Sequence, residues 1–373
     1  MQLERTIEQN LIIKKMKSMK ATRKISLLAG FSLLAGGLWA QNFCISTPGT
    51  SLVINAPTGG ELKYLYYGNK LSETDLQQIE AVSNCNHTAY PVYGMNCPGE
   101  VALAVTHADG NLSTQMEVAS VSTETEKQAT LTTVRLKDKV YPFYIDVCYK
   151  AYQDVDMIET WTEISHQEKK AVRLTQFASV YLPVRRGNVW LSHLSGSWAN
   201  EGQLTQEPLE PGMIVIKNKD GVRNSHTAHA EVMFSLDGSP RENTGRVIGA
   251  ALCYTGNYKL RIDTDDSEYH QFYAGINEEN SSYTLPGKET FRTPSVALTY
   301  SNEGLSGASR NFHKWGRNYK LAHGNTVRDI LLNSWEGVYF DINQEGMDQM
   351  MGDIASMEGE LFVMDDGWFG DKY

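Results

Sequence analysis

The sequence predicts a multidomain β plus α/β protein: a large antiparallel β-sandwich followed by the first strands of a parallel (β/α)8 TIM barrel. Three observations carry this prediction. From about Phe43 to about Tyr300, short runs of Val, Ile, Leu, Tyr and Thr are broken about every ten residues by Gly, Pro, Asn or Asp, as in antiparallel strands and turns. The texture then changes to helical spacing near Gly304. Beyond it, two short apolar runs flank a helical segment, which is the strand, helix, strand order of a parallel βαβ unit.

The first element is a targeting signal. Lys14, Lys15, Lys17, Lys20, Arg23 and Lys24 precede an apolar run from Ile25 to Leu38, and Trp39-Ala40-Gln41 follows. This order predicts a signal peptide over 1–40, cleaved near Ala40, and a secreted or periplasmic protein. The apolar run is about 14 residues long, short of the roughly 20 a membrane-spanning helix needs, so no membrane anchor is expected after cleavage.

Residues 41–302 form the expected sandwich. Its strands include Ala129 to Leu136, Tyr141 to Tyr149, Met157 to Ile164, Gly249 to Tyr254 and Phe291 to Tyr300. Alternation of polar and apolar residues in several of them predicts one buried and one wet face, and the length predicts two packed sheets. Residues 303–328 predict a linker helix, with Leu305, Ala308, Phe312, Trp315 and Tyr319 at helical spacing. Residues 329–373 predict the start of the barrel. A strand from Ile330 to Leu332 leads into Asn333-Ser334-Trp335-Glu336, and a helix from Asn343 to Met357 has Met347, Met350, Met351 and Ile354 on its inner face. A second strand, Leu361 to Met364, ends in Asp365-Asp366-Gly367-Trp368. A full barrel takes about 250 residues, and only about 45 lie between residue 328 and Tyr373, so the chain is expected to be cut short within it.

Composition narrows the function. Of 373 residues, 41% are hydrophobic and 21% charged, which suits a folded chain rather than a disordered one. The formal net charge of −10 argues against nucleic acid as a partner, because phosphate binding needs clustered Lys and Arg. No CxxC or His-rich spacing suggests a metal. Among the five cysteines, Cys85 and Cys97 are the one close pair, and free buried thiols with at most one bridge are the expected state.

Functional groups in parallel barrels sit where strands end and loops begin. The first strand delivers Trp335 to that place, and the second delivers Asp365, Asp366 and Trp368. Aromatic rings offer a flat apolar wall for the C–H face of a sugar, and ionised carboxylates accept strong hydrogen bonds from hydroxyls. The competing explanation is that Asp365 caps the following turn and both Trp residues pack between barrel and sandwich. As a catalytic acid and nucleophile the two aspartates fit poorly, because those carboxyls must flank the scissile bond while neighbours on a strand point to opposite faces. Substrate binding by Trp335, Asp365 and Asp366 is the expectation.

Several blocks, in order, resemble glycoside hydrolase family 36, the bacterial α-galactosidases. They are Leu62 to Gly68, Tyr90-Pro91-Val92-Tyr93-Gly94, Leu194 to Ala199, Tyr254-Thr255-Gly256-Asn257, Asn333-Ser334-Trp335-Glu336 and Leu361 to Gly370. The resemblance implies a β-supersandwich, a (β/α)8 barrel and retaining hydrolysis of terminal α-linked galactose, with no metal or nicotinamide cofactor. It also implies that Trp335, Asp365 and Asp366 hold the galactose. The family's nucleophile and acid/base are aspartates on later strands, so both are expected beyond Tyr373 and no catalytic residue is expected within the chain. Near Tyr93 to Glu100, similar enzymes often carry an Asp that reaches a neighbouring subunit. Asn96 and Cys97 stand there instead, which weakens the expectation of that contact and of the tetramer behind it, although a homo-oligomer stays among the expected partners. His226 and His229 resemble a family stretch and read as structural, and Trp198 reads as a packing or interface aromatic. The rival readings are an α-N-acetylgalactosaminidase of the same family and a non-catalytic carbohydrate-binding sandwich.

Overall fold

The computed structural model describes residues 42–79, 88–95, 99–223, 226–266 and 268–370. The expected signal peptide, Asn96 and the cysteine pair Cys85 and Cys97 lie outside them. Tyr373, beyond which the nucleophile and the acid/base are expected, also lies outside the described residues. The described chain opens with a three-stranded antiparallel meander, β1 (Asn42–Ser46), β2 (Thr50–Asn55) and β3 (Lys63–Asn69). A short helix α1 (Glu73–Gln78) follows, opened by a reciprocal cap between Ser72 and Asp75.

The next sixteen strands build two larger sheets. They are β4 (Leu103–Thr106), β5 (Met116–Thr125), β6 (Ala129–Asp138), β7 (Phe143–Tyr152), β8 (Met157–His166), β9 (Val172–Arg185), β10 (Trp190–Ser197) and β11 (Asn200–Pro208). Then come β12 (Gly212–Lys217), β13 (Ala228–Ser235), β14 (Val247–Leu252), β15 (Tyr258–Thr264), β16 (Tyr269–Ile276), β17 (Tyr283–Leu285), β18 (Thr290–Arg292) and β19 (Val296–Ser301). One sheet runs β11-β10-β13-β14-β19-β8-β7-β6-β5, with β18 also paired to β8. The other runs β12-β15-β16-β9-β17, with β4 also paired to β9.

The alternation visible in the sequence sets the faces. In β6, Thr132, Val134, Leu136 and Asp138 are buried while Arg135 and Lys137 are exposed. Inward residues of both sheets meet in common clusters. Val180, Leu182 and Phe272 of one sheet pack with Leu191, Phe234 and Leu298 of the other. Each such fully buried side chain contributes about 1.5–3 kcal/mol, so the sandwich is the stable body of the molecule.

Phe291 to Tyr300, expected as one strand, is two. Pro294 has no N–H to give the ladder, and the chain breaks there. Thr293 bridges the break: its N–H donates to Thr162 O (3.0 Å) and its hydroxyl accepts from Thr162 N (3.0 Å). Both pieces therefore stay on β8.

The linker helix is shorter than the predicted 303–328. Helix α2 (Gly304–Trp315) passes into a π-helical turn, Gly316–Lys320, and the helix ends there. Gly304 starts it at φ +64°, where an added Cβ would lie 2.4 Å from Arg241 O and 2.7 Å from Thr244 N. The end of the helical segment is latched to the sheet. Lys320 Nζ donates to Glu159 Oε1 (2.6 Å), Ser295 Oγ donates to the same oxygen (2.9 Å), and Tyr152 OH donates to Glu159 Oε2. Trp315 and Tyr319 pack on Tyr152 beside them.

A parallel pair follows, β20 (Leu331–Asn333) and β21 (Leu361–Val363), in the register Leu331 to Leu361, Leu332 to Phe362 and Asn333 to Val363. Between them stand a single-turn helix α3 (Trp335–Val338) and helix α4 (Gln344–Ser356), whose N-cap Asn343 accepts from Gly346 N (2.9 Å). The expected methionine core of α4 is only partly formed: Met347 is buried, Met350 half-buried and Met351 41% exposed. The helix packs against β21, and one side of its apolar face stays open to water.

Candidate functional site

The ends of β20 and β21 are joined by side chains rather than by more ladder. Ser334 N donates to Val363 O (2.9 Å), and Ser334 Oγ, fully buried, accepts from Asp365 N (3.0 Å). Asn333 spans the gap. Its Nδ2 donates to Asp365 Oδ2 (2.7 Å) while its Oδ1 accepts from Trp335 N (2.7 Å). Asp365 Oδ1 accepts from Asp366 N (2.8 Å). One asparagine thus positions both expected site segments.

The two aspartates separate in role. β21 stops at Val363, one residue earlier than expected, so both follow the strand in a turn and strand alternation does not govern them. Asp365 is half-buried and turned inward to Asn333, whereas Asp366 is exposed, and among the described residues its carboxylate has no hydrogen-bond partner. Gly367, at φ +100°, lets this turn lie against the loop after β20: an added Cβ would stand 2.9 Å from Ile342 Cγ1 and 3.2 Å from Phe340 Cα.

Trp335 is half-buried, and its ring meets Tyr339 and Phe340 edge-on, with centroids 5.3 and 4.9 Å apart. Tyr339 adopts φ 50°, ψ −125°, a conformation that costs a non-glycine residue on the order of 1–3 kcal/mol and that fixes the aromatic group where the loop turns. Trp368 behaves differently: it is 70% exposed and touches Phe369. The structure therefore brings Trp335, Asp365 and Asp366 to one end of the parallel pair. Trp368 stays outside that group and does not serve as packing.

The sequence reading missed Asn333, Ser334, Tyr339 and Phe340. A polar pair directly after an apolar strand, facing the acid of the next strand, was the available signal for the first two. Elsewhere, Trp198, read as a packing or interface aromatic, is 82% exposed, so it does not pack within the described chain and the interface half of that reading is the one left. His229 Nδ1 lies 3.3 Å from Glu231 Oε1 on β13. Among the described residues no group of three or more His, Cys, Asp or Glu converges as metal ligands.

Residues 60–286 match the model of the glycosyl hydrolase family 36 N-terminal domain. The chain belongs to glycosyl hydrolase family 36. Residues 290–373, up to Tyr373, match the melibiase model, so the boundary between the two models falls inside the sandwich, between β17 and β18, and the last two sandwich strands go with the helix and the parallel pair. The chain is 30% identical over 252 residues to alpha-galactosidase Mel36A of Lactobacillus acidophilus, a match covering 67% of this chain and 34% of that protein. It is 29% identical over 252 residues to alpha-galactosidase AgaA of Geobacillus stearothermophilus, with the same coverage. The crystal structure of AgaA superposes with a TM-score of 0.81 at 23% identity, over 89% of this chain and 51% of that one, which establishes the family 36 fold. Variants of AgaA have been solved with stachyose and with raffinose. The chain thus spans about a third of the length of its curated family 36 relatives and about half of the solved ones.

Proposed function

We propose that this family 36 chain supplies the sandwich and the first galactose-holding strand ends of a retaining α-galactosidase that removes terminal α-linked galactose from oligo- or polysaccharides. The observation that carries the reading is the junction of β20 and β21. There, Asn333 fixes Asp365 and the start of the Trp335 segment in one hydrogen-bonded unit, and Asp366 is left exposed to accept from a ligand. Trp335, backed by Tyr339 and Phe340, supplies the apolar wall for a sugar ring, and the carboxylates take its hydroxyls with charge-assisted strength. The family's relatives are named alpha-galactosidases, and AgaA variants hold raffinose and stachyose, which supports galactosides as the substrate class.

Hydrolysis itself is assigned to aspartates on further barrel strands rather than to Asp365 and Asp366. The basic stretch and apolar run before Ala40 support export. The test uses the enzyme carrying the complete barrel, with para-nitrophenyl α-galactoside as substrate. Replacing Asp366 by Ala removes a charged acceptor for sugar hydroxyls and is expected to lower kcat/KM by roughly 100-fold or more, about 3 kcal/mol of transition-state binding. Unchanged kcat/KM in Asp366→Ala would take this residue out of the pocket. Preferential turnover of the α-N-acetylgalactosaminide would move the assignment to the sister activity.

A further inference from the structure

The tip of the β10–β11 hairpin carries a feature that the strand-end site leaves unused. Ser197 pairs with Asn200, so Trp198 and Ala199 are the two residues of the turn. Ala199 sits at φ 59°, a conformation that favours glycine, and Trp198 stands out from the tip at 82% exposure. A large indole in water on a strained turn gains little for the fold, because it buries under a fifth of its area.

Its surroundings are built. Gly196 donates to Thr227 O (3.1 Å), and a Cβ at Gly196 would lie 2.6 Å from Asn200 O and 3.2 Å from His226 O, so the absent side chain lets the His226 segment close against the hairpin. On the other side, the turn bearing Asp220 and Arg223 is braced from below. Buried Asn218 donates through Nδ2 to Gly221 O (3.0 Å) and accepts from Asp220 N (3.0 Å), while Gly221 N donates to Asn257 Oδ1 (2.8 Å). The result is an open depression of about 510 Å³ lined by Ser197, Trp198, Asp220, Arg223, His226 and Thr227.

The lining decides the ligand class. The core of a protein–protein contact is depleted in charge, yet here a carboxylate, a guanidinium, an imidazole and two hydroxyls line the depression beside the indole. An indole with donors and acceptors beside it matches a sugar ring, which offers a C–H face and a rim of hydroxyls. We propose that this depression is a carbohydrate-binding platform on the sandwich, with Trp198 stacking on a ring of a galactose-bearing polysaccharide and Asp220, Arg223 and His226 taking its hydroxyls. The choice of a galactose-bearing ligand rests on the function proposed above; the platform itself rests on the geometry of the hairpin.

The experiment is affinity electrophoresis of the 373-residue chain in gels containing galactomannan, with sedimentation velocity run in parallel. Covering one indole face removes enough apolar area that Trp198→Ala is expected to weaken retardation by roughly tenfold. Trp198→Phe, which keeps an apolar ring, is expected to retain most of it, and Arg223→Ala to lose part. Retardation equal in wild type and Trp198→Ala, or absent in wild type, would overturn the platform. So would a Trp198→Ala variant that binds galactomannan normally but drops from a larger to a smaller sedimenting species, which would make the tip a contact between copies of the chain. Asp366→Ala separates the two sites: the strand-end pocket predicts loss of activity in the complete enzyme, the platform predicts unchanged Trp198-dependent retardation, and full activity in that variant would sink the strand-end pocket alone.

Discussion

Two side chains show how single residues set the behaviour of this protein. Asn333 looks in the sequence like one more polar residue at a strand end, yet its amide spans from Asp365 to the backbone of Trp335. No periodicity reveals such a bridge, because it depends on the register of two strands nearly thirty residues apart. Glu159 is the second case. Buried in the middle of β8, it reads in the sequence as an ordinary strand carboxylate. Burial works to raise its pKa, but the hydrogen bonds from Lys320, Tyr152 and Ser295, together with the Lys320 charge, outweigh burial and hold it below the ordinary glutamate value. The unfolded chain, with glutamate's value of about 4.3, therefore takes up the proton more readily than the folded one. The stabilisation is complete above that value and is lost as pH falls through the lowered folded value. Glu159→Gln is expected to cost about 1–2 kcal/mol near neutral pH, and the gap from wild type is expected to close below about pH 4. Urea midpoints measured at pH 7 and at successive acid steps check this; a gap independent of pH would show that the charge of Glu159 contributes nothing.

At the scale of elements, most strands were legible because alternation survives wherever one face is wet, as in β6. What failed were the ends and interruptions. Phe291 to Tyr300 kept its apolar character through Pro294, so composition concealed a break that the missing N–H enforces. The linker helix is predicted to 328, although the last apolar residue at helical spacing is Tyr319 and Gly324-Asn325 offers a stop signal short of that end; the helix finishes at Lys320, with Leu321 already extended. Its start is set by Gly304, whose positive φ and crowded Cβ position admit no other residue easily. Gly304→Ala is expected to destabilise the chain by at least about 2 kcal/mol, from the left-handed backbone cost plus displacement of the Arg241 and Thr244 backbone. Thermal unfolding of that variant beside Gly316→Ala, at the far end of the same helix where the backbone is helical and an added Cβ meets nothing within 4 Å, separates a local effect at the helix start from general intolerance of the helix.

Across the whole molecule, the fold class was readable from the change of texture near residue 303, but the sheet order was not. β8 pairs with β19, and β9 with both β16 and β17, pairings that join distant segments and leave no local trace. Stability is distributed just as unevenly. The sandwich buries continuous clusters, whereas among the described residues beyond Lys320 only Ser334 and Met347 are buried. Hydrogen exchange on this chain is expected to show the sandwich strands protected to near the global unfolding free energy, with 328–370 exchanging by local opening orders of magnitude sooner. Uniform protection over both regions would contradict this division.

The latch at Glu159 has a practical consequence for recombination. Because Lys320, Trp315 and Tyr319 all fasten onto the sheet, the segment from Gly304 to Lys320 is architecturally part of the sandwich. A chimera that grafts this sandwich onto a foreign barrel belongs with its crossover at Leu321 to Ile330. A crossover at Gly304 would hand the graft a helix whose anchoring partners were left behind in the other parent.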